Sequence, residues 1–197
     1  MRNTVMVQAT DSAYAAMVSA ATEALRAENL RITVRGEYNR KNGLLPIERY
    51  GLNFYVTGSM EGATTFKSSY TVEDLQVAIR NTEKAAVIGN MFEILDGGGC
   101  SIDDWKPSGE PMTVLTTRGA VNGAGVIFCD SVLRKIWQKI GDFYILPSSV
   151  HEVIVVPVSG GIDRVELTEM VRTINATEVA PEDRLSDQVY LYDRNLH

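Results

Sequence analysis

Cysteine and histidine are scarce in this chain, which has two of each: Cys100, Cys129, His151 and His197. Two cysteines without a CxxC spacing exclude a disulfide framework. The cytosol is the expected compartment. One interior histidine with no spaced cysteines offers no zinc set. The neighbours Asp103 and Asp104 would point to opposite faces of a strand. No metal and no other cofactor is expected. Basic residues are also short: 19 Lys and Arg against 25 Asp and Glu leave a net charge of −6. Nucleic-acid-binding domains usually carry a basic stripe, so such a partner is disfavoured. A mildly acidic surface suits solubility and a basic protein partner. No apolar run approaches the roughly 18 residues of a membrane span. The opening MRNTVMVQATDSAY lacks the apolar core of a signal peptide. Low-complexity tracts are missing, and the 45% hydrophobic and 22% charged fractions are those of a globular chain, not a disordered one. With 197 residues it fits one domain or two small ones, with a core that needs no staples.

What is present reads as alternating hairpins and helices. Asp11 is an N-cap for a helix whose Tyr14, Met17, Val18, Ala21 and Leu25 share a face, stopping near Asn29. Leu30, Ile32 and Val34 alternate with Arg31, Thr33 and Arg35, the pattern of a half-buried strand. Asn42-Gly43 predicts a hairpin turn into 44–48, and 52–57 reads as a further strand. Thr71 and Asp74 form a capping box. Behind it Leu75, Ala78, Ile79 and Thr82 start a helical face that Val87, Met91, Phe92 and Leu95 extend, in one helix or in two split at Gly89. Gly97-Gly98-Gly99 ends the segment. The stretch 100–111, CSIDDWKPSGEP, is linker-like. A boundary near residue 105 divides the chain into 1–105 and 106–197, or the two halves form one continuous domain.

In the second half, 112–117 and 125–129 read as a hairpin around Asn122-Gly123. Asp130 caps a helix with Leu133, Ile136, Trp137 and Ile140 on its apolar stripe, terminated by Gly141. A second hairpin, 143–146 with 150–156, turns at Pro147-Ser148-Ser149. Asp163 caps a helix carrying Leu167, Met170, Val171 and Ile174, and 188–192 is the last strand. The order ββαββαβ implies an α+β fold: a mostly antiparallel sheet built from hairpins, with helices packed on one face.

Few motifs carry chemistry. Ser159-Gly160-Gly161-Ile162-Asp163 is similar to the SGGxD core of an ATP-pyrophosphatase loop, where exposed amides and a helix dipole attract anions. Arg164 stands where that motif has serine, and the preceding strand reads as a hairpin partner. A strand-to-helix turn capped by Asp163 accounts for the same residues. Cys100 follows three glycines, but Asp103 and Asp104 would raise its pKa rather than activate it. Cys129 with His151 and Asp130 or Glu152 has the composition of a nucleophile triad, yet a cysteine ending an apolar strand is usually a small hydrophobe. Arg134, Lys135 and Lys139 form one basic cluster, and Arg31, Arg35, Arg40 and Lys41 a second; either could meet phosphates. Solvated faces are the favoured explanation of both. Tyr190 and Tyr192, with Arg184 and Arg194, have the composition of a protein interface on an edge strand.

The segments YILPSSVHEVIVVP at 144–157, INATEVAPE at 174–182 and LSDQVYLYDR at 185–194 resemble an uncharacterised bacterial domain family of unknown function, found in Gram-positive gut bacteria and their mobile elements. The N-terminal half resembles it only loosely, and KNGLLPIERYG at 41–51 looks like a weak echo of a hairpin. The resemblance implies a small cytoplasmic α+β protein carried by a phage, plasmid or integrative element, and supplies no reaction. The expected function is that of a non-enzymatic accessory protein that binds a protein partner, for instance an inhibitor of a host defence protein such as a nuclease. That last step is analogy. Two alternatives stand beside it: a nucleotide- or phosphate-binding protein using Ser159, Gly160 and Gly161, and a nucleic-acid module using the second basic cluster.

Overall fold

The computed structural model describes residues 11–36, 41, 43–44, 46–60 and 63–193. Their helices and antiparallel strands make an α+β fold with two sheets. Arg40, Asn42, Arg194 and His197 lie outside the described residues.

The first sheet is built on β3 (Leu52–Met60), which pairs antiparallel with β1 (Leu30–Arg35) along one edge. Its other edge is shared by β2 (Ile47–Arg49) and β4 (Ala63–Phe66). β2 runs into β3 through Tyr50-Gly51, both at positive φ (55° and 66°), with Arg49 opposite Leu52. This two-residue type I′ turn matches the twist of the strands. A hairpin turn thus sits at Tyr50-Gly51; the turn expected at Asn42-Gly43 lies partly outside the described residues. Leu30, Ile32 and Val34 face the core as their alternation requires.

The second sheet has the order β5-β6-β8-β7-β9: Ala86–Gly89, Thr113–Thr117, Val153–Pro157, Phe143–Leu146 and Tyr190–Tyr192. β5 is a fully buried strand wedged between two helices, α2 (Val72–Ala85) and α3 (Met91–Leu95). The expected continuous helical face is thus interrupted by strand pairing between 86–89 and 114–117. The capping box at Thr71 and Asp74 starts α2, and an unforeseen second one, Asn90 with Glu93, starts α3. Each satisfies amides that a helix start leaves bare. β5 lies before residue 105 and its four partner strands after it, so the second sheet draws on both halves of the chain.

Side chains alternate across this sheet. Phe143, Ile145, Val153 and Val155 join the main core, with Leu30, Ile32, Phe54, Ala78 and, from α4 (Asp130–Ile140), Leu133 and Ile136. Leu146 and Val156 face the other way, against Leu167 and Val171 of α5 (Arg164–Thr177). Helices therefore cover both faces of the sheet, correcting the one-face expectation. Both faces of its central strands are apolar, so each needs cover.

The segment Gly123–Phe128 is a buried 3₁₀ turn and not a strand. It lies between β1 and β6. A Cβ on Gly125 would meet the Ile32 carbonyl carbon at 2.7 Å and its oxygen closer still, so only glycine allows the approach. The cap of α4 is also different: Cys129 occupies the N-cap position, and Asp130 pairs with Arg49. Gly141 (φ 72°) ends α4 as its place after the apolar stripe implies. In α1 (Asp11–Ala24), Met17 and Val18 of the expected apolar face are 64% and 45% exposed, while Ala24 is buried; the side chains of Asp11 and Tyr14 lie outside the described ones.

Candidate functional site

On the α5 side of the second sheet, α3 lies over β5 and β6 while α5 packs over β7 and β8. Beside α3 is a cleft of about 610 Å³, within the size range of ligand sites. Val87, Val114 and Thr116 line its floor; Met91, Ile94 and Leu95 of α3 form one wall. The other wall is the chain leaving α5, Glu178 to Ala180, with Asp183. Ser149, His151 and Glu152, from the bend between β7 and β8, close one end.

The polar groups at that end are bonded to one another. His151 Nδ1 accepts the Asn122 amide (3.2 Å), so the neutral ring carries its proton on Nε2, which faces Asp183 Oδ1 at 3.4 Å. Asn122, at φ 54°, also accepts from Arg35 Nη1 through Oδ1 (2.8 Å) and donates through Nδ2 to Thr64 Oγ1 (3.0 Å). One asparagine thereby ties both sheets to the cleft. Ser149 Oγ accepts from the His151 amide (3.0 Å), and Thr116 Oγ1 donates to the His151 carbonyl (2.7 Å). Burial pushes the Glu152 carboxyl up from its usual range; the Ser149 hydroxyl and His151 oppose the shift and Asp183 adds to it.

A carboxyl raised in the folded state has its ionised form penalised there. Stability from this group is greatest below the unfolded carboxylate pKa and falls as pH rises through that value towards the folded one. Glu152→Gln removes the penalty. The variant's melting temperature should gain on wild type between about pH 4 and pH 7. A difference that stays constant across that interval would show that Glu152 is not strained by burial.

The arrangement is poor in reactive chemistry. Both ring nitrogens of His151 are engaged, which leaves neither to take a proton from a substrate. Cys129 is fully buried, its Sγ directed at the Ile79 carbonyl (3.9 Å), and its pKa is pushed up to about 12, mainly by burial. It is a thiol at neutral pH, so the Cys129–His151 triad has no thiolate nucleophile. Burial, with Glu93 and Asp104, also raises Cys100, whose thiol points at the Ile88 carbonyl. Among the described residues no group of three or more His, Cys, Asp or Glu could hold a metal ion.

The other sequence candidates are dispersed. Ser159 and Gly160 lie in a 3₁₀ turn after β8, an inner strand of an antiparallel sheet. The Asp163 carboxylate accepts the amides of Val165 and Glu166 (2.7 and 2.9 Å), filling the helix start a phosphate would need. Tyr192 is 7% exposed and stacks on Phe143 (centroids 5.0 Å, 18°), while Tyr190 is half-buried beside Tyr50. The expectation of two exposed tyrosines is corrected: the outward residue of β9 is Leu191. Arg184 Nε donates to the Val179 carbonyl (2.9 Å), bracing the cleft wall. Arg31 and Arg35 donate to backbone carbonyls, and Lys41 lies over the Phe66 ring. In the other basic cluster Lys135 pairs with Asp103, and Lys139 donates to the carbonyls of Asp103 and Trp105.

The cleft itself was missed. Its walls come from segments far apart in sequence, and Met91 and Leu95 read as inward residues. Among the described residues no helix is long and apolar enough to cross a membrane. Neither a curated protein nor a solved structure matches the chain. A family model does match, over residues 66–194, which hold every wall of the cleft; the chain belongs to that family, DUF5688, a family of unknown function.

Proposed function

We propose that this protein works by binding a protein partner, and that it does so through the cleft and not through its last strand. The observation that carries the reading is the exposure of α3: Met91 and Leu95, which line the cleft, are 46% and 74% exposed, and Phe92 on the same helix 79%. Val121, 51% exposed, also lines the cleft. Large apolar side chains gathered around a concavity mark an interaction surface. Glu152, Glu178 and Asp183 line the same cleft, at the C-terminal, dipole-negative end of α5. The occupant is therefore an apolar segment of a protein that also carries a lysine or arginine. The internal bonding of His151, Ser149 and Thr116 favours binding over turnover.

A bacterial mobile-element origin, a cytoplasmic location and inhibition of a host defence protein belong to the same proposal, and rest on the resemblance of the C-terminal segments. Capture from bacterial lysate with wild type and with Leu95→Asp tests the core of it. Leu95 lines the cleft and is exposed, so the variant should fold normally. One stoichiometric partner retained by wild type at high salt and lost by Leu95→Asp is the expected result. A partner held equally by both proteins would remove the cleft from the binding surface, and no partner at all would remove the reading.

A further inference from the structure

A second cavity, of about 410 Å³, opens beside edge strand β1, where β4 and the loop 117–122 approach it. Its polar lining is one-sided. Arg31 and Arg118 are its charged lining residues, and Ser59, Thr64, Thr117 and Asn122 are among its neutral polar ones. Among the described residues no aspartate or glutamate lines it, although acids outnumber bases in the chain as a whole. Arg31 is held in place through Nη1 alone, which donates to the carbonyls of Glu28 (2.9 Å) and Leu30 (2.8 Å). Its Nη2 and Nε have no protein acceptor among the described residues, and Arg118 has no ion pair among them. Burial lowers the Arg31 guanidinium from its usual value, and no acidic neighbour opposes the shift.

We infer that this cavity is an oxyanion site that takes the phosphate group of a small phosphate monoester. Two guanidinium forks offer the parallel donors that a phosphate accepts in pairs. Neutral hydroxyls complete its hydrogen bonding without adding charge. The volume holds a ligand of mononucleotide size and is lined by pieces of both sheets. The site is separate from the proposed partner-binding cleft, although Thr117, Gly119 and Val121 line both, so neither reading depends on the other.

Calorimetric titration of the full chain tests it, at constant ionic strength, with inorganic phosphate, ribose 5-phosphate and a single-stranded 20-mer DNA. Wild type should bind inorganic phosphate and bind the ester more tightly. Arg118→Gln and Arg31→Gln should each weaken binding about tenfold or more, the usual worth of one charge-assisted contact. Arg118 is exposed, so its variant should melt as wild type does without ligand. Equal affinity for phosphate and ester would keep the oxyanion site but assign it to free phosphate. Three results would overturn the assignment: no heat with either small anion at millimolar concentration, unchanged affinity in both variants, or binding of the oligonucleotide alone.

Discussion

Gly125→Ala is expected to destabilise the fold by about 3 kcal/mol, at the upper end of ordinary overpacking costs. The added methyl would be directed into the backbone of Ile32, not towards the end of a side chain that can rotate away. Ile32 is pinned from the other side as well, because its amide donates to Thr82 Oγ1 (2.9 Å) in a buried bond. Either the 3₁₀ segment withdraws from β1, opening the core around Val126 and Ile127, or β1 gives up its bond to α2. For a chain of this size the cost corresponds to a fall in melting temperature of about 6–12 °C. Gly160→Ala is the control: a Cβ there meets nothing within 4 Å, so its stability should stay within about 0.5 kcal/mol of wild type. Similar melting temperatures for the two variants would mean that the close approach at Gly125 is not a constraint on the fold.

Phe143→Ala should be costlier still, about 3–5 kcal/mol, the range for removing a buried aromatic ring. Phe143 is fully buried in β7, opposite Pro157 on one side and Tyr192 on the other. Its removal takes away the surface on which Tyr192 stacks and so loosens β9, the edge strand of the sheet. In a double-mutant cycle with Tyr192→Ala, chemical denaturation should return a coupling of about 0.5–1.5 kcal/mol, as for other packed aromatic pairs. A coupling near zero would mean that the two rings are neighbours without stabilising each other. A strong loss of stability from Tyr192→Ala alone also separates its role from that of Leu95, whose replacement should change binding and leave folding intact.

The elements read most directly from sequence are those whose signals are local. Thr71 with Asp74 bonds backbone amides within one helical turn, and so does Asp163 with Val165 and Glu166. The alternation of Leu30, Ile32 and Val34 worked because β1 shows one face to a core and the other to polar neighbours. The pairing of 143–146 with the apolar run after it, and the stripe of Leu133 and Ile136 closed by Gly141, were legible for the same reason, although the connection spans 147–152 and not Pro147-Ser148-Ser149 alone. β5 was hidden because Ala86, Val87, Ile88 and Gly89 are buried on both faces, and a short all-buried strand has no period to distinguish it from helix. Gly123–Phe128 misled in the opposite direction. An apolar run after Asn-Gly looks like a strand, but its close contact with β1 and β6 holds it as a 3₁₀ turn.

The candidate site was less legible than the fold. His151 and Glu152 could be singled out as the polar residues near an apolar strand, but their true neighbours, Asp183 and Asn122, lie some thirty residues away on either side. Met91, Phe92 and Leu95 have the spacing of an inward face, yet their helix is five residues long and turns them outward.

By itself the sequence determined the caps of α2 and α5, several of the strands, the α+β class and the scarcity of metal-binding and nucleophilic side chains. Each of these depends on residue type or on contacts within a few positions. Tertiary structure decided that the second sheet takes a strand from before residue 105, that Tyr192 belongs to the core, and that a cleft opens between α3 and the chain leaving α5. Those features depend on which distant segments pair and on how they are spaced on one sheet face, and a local pattern of apolar and polar residues carries neither quantity.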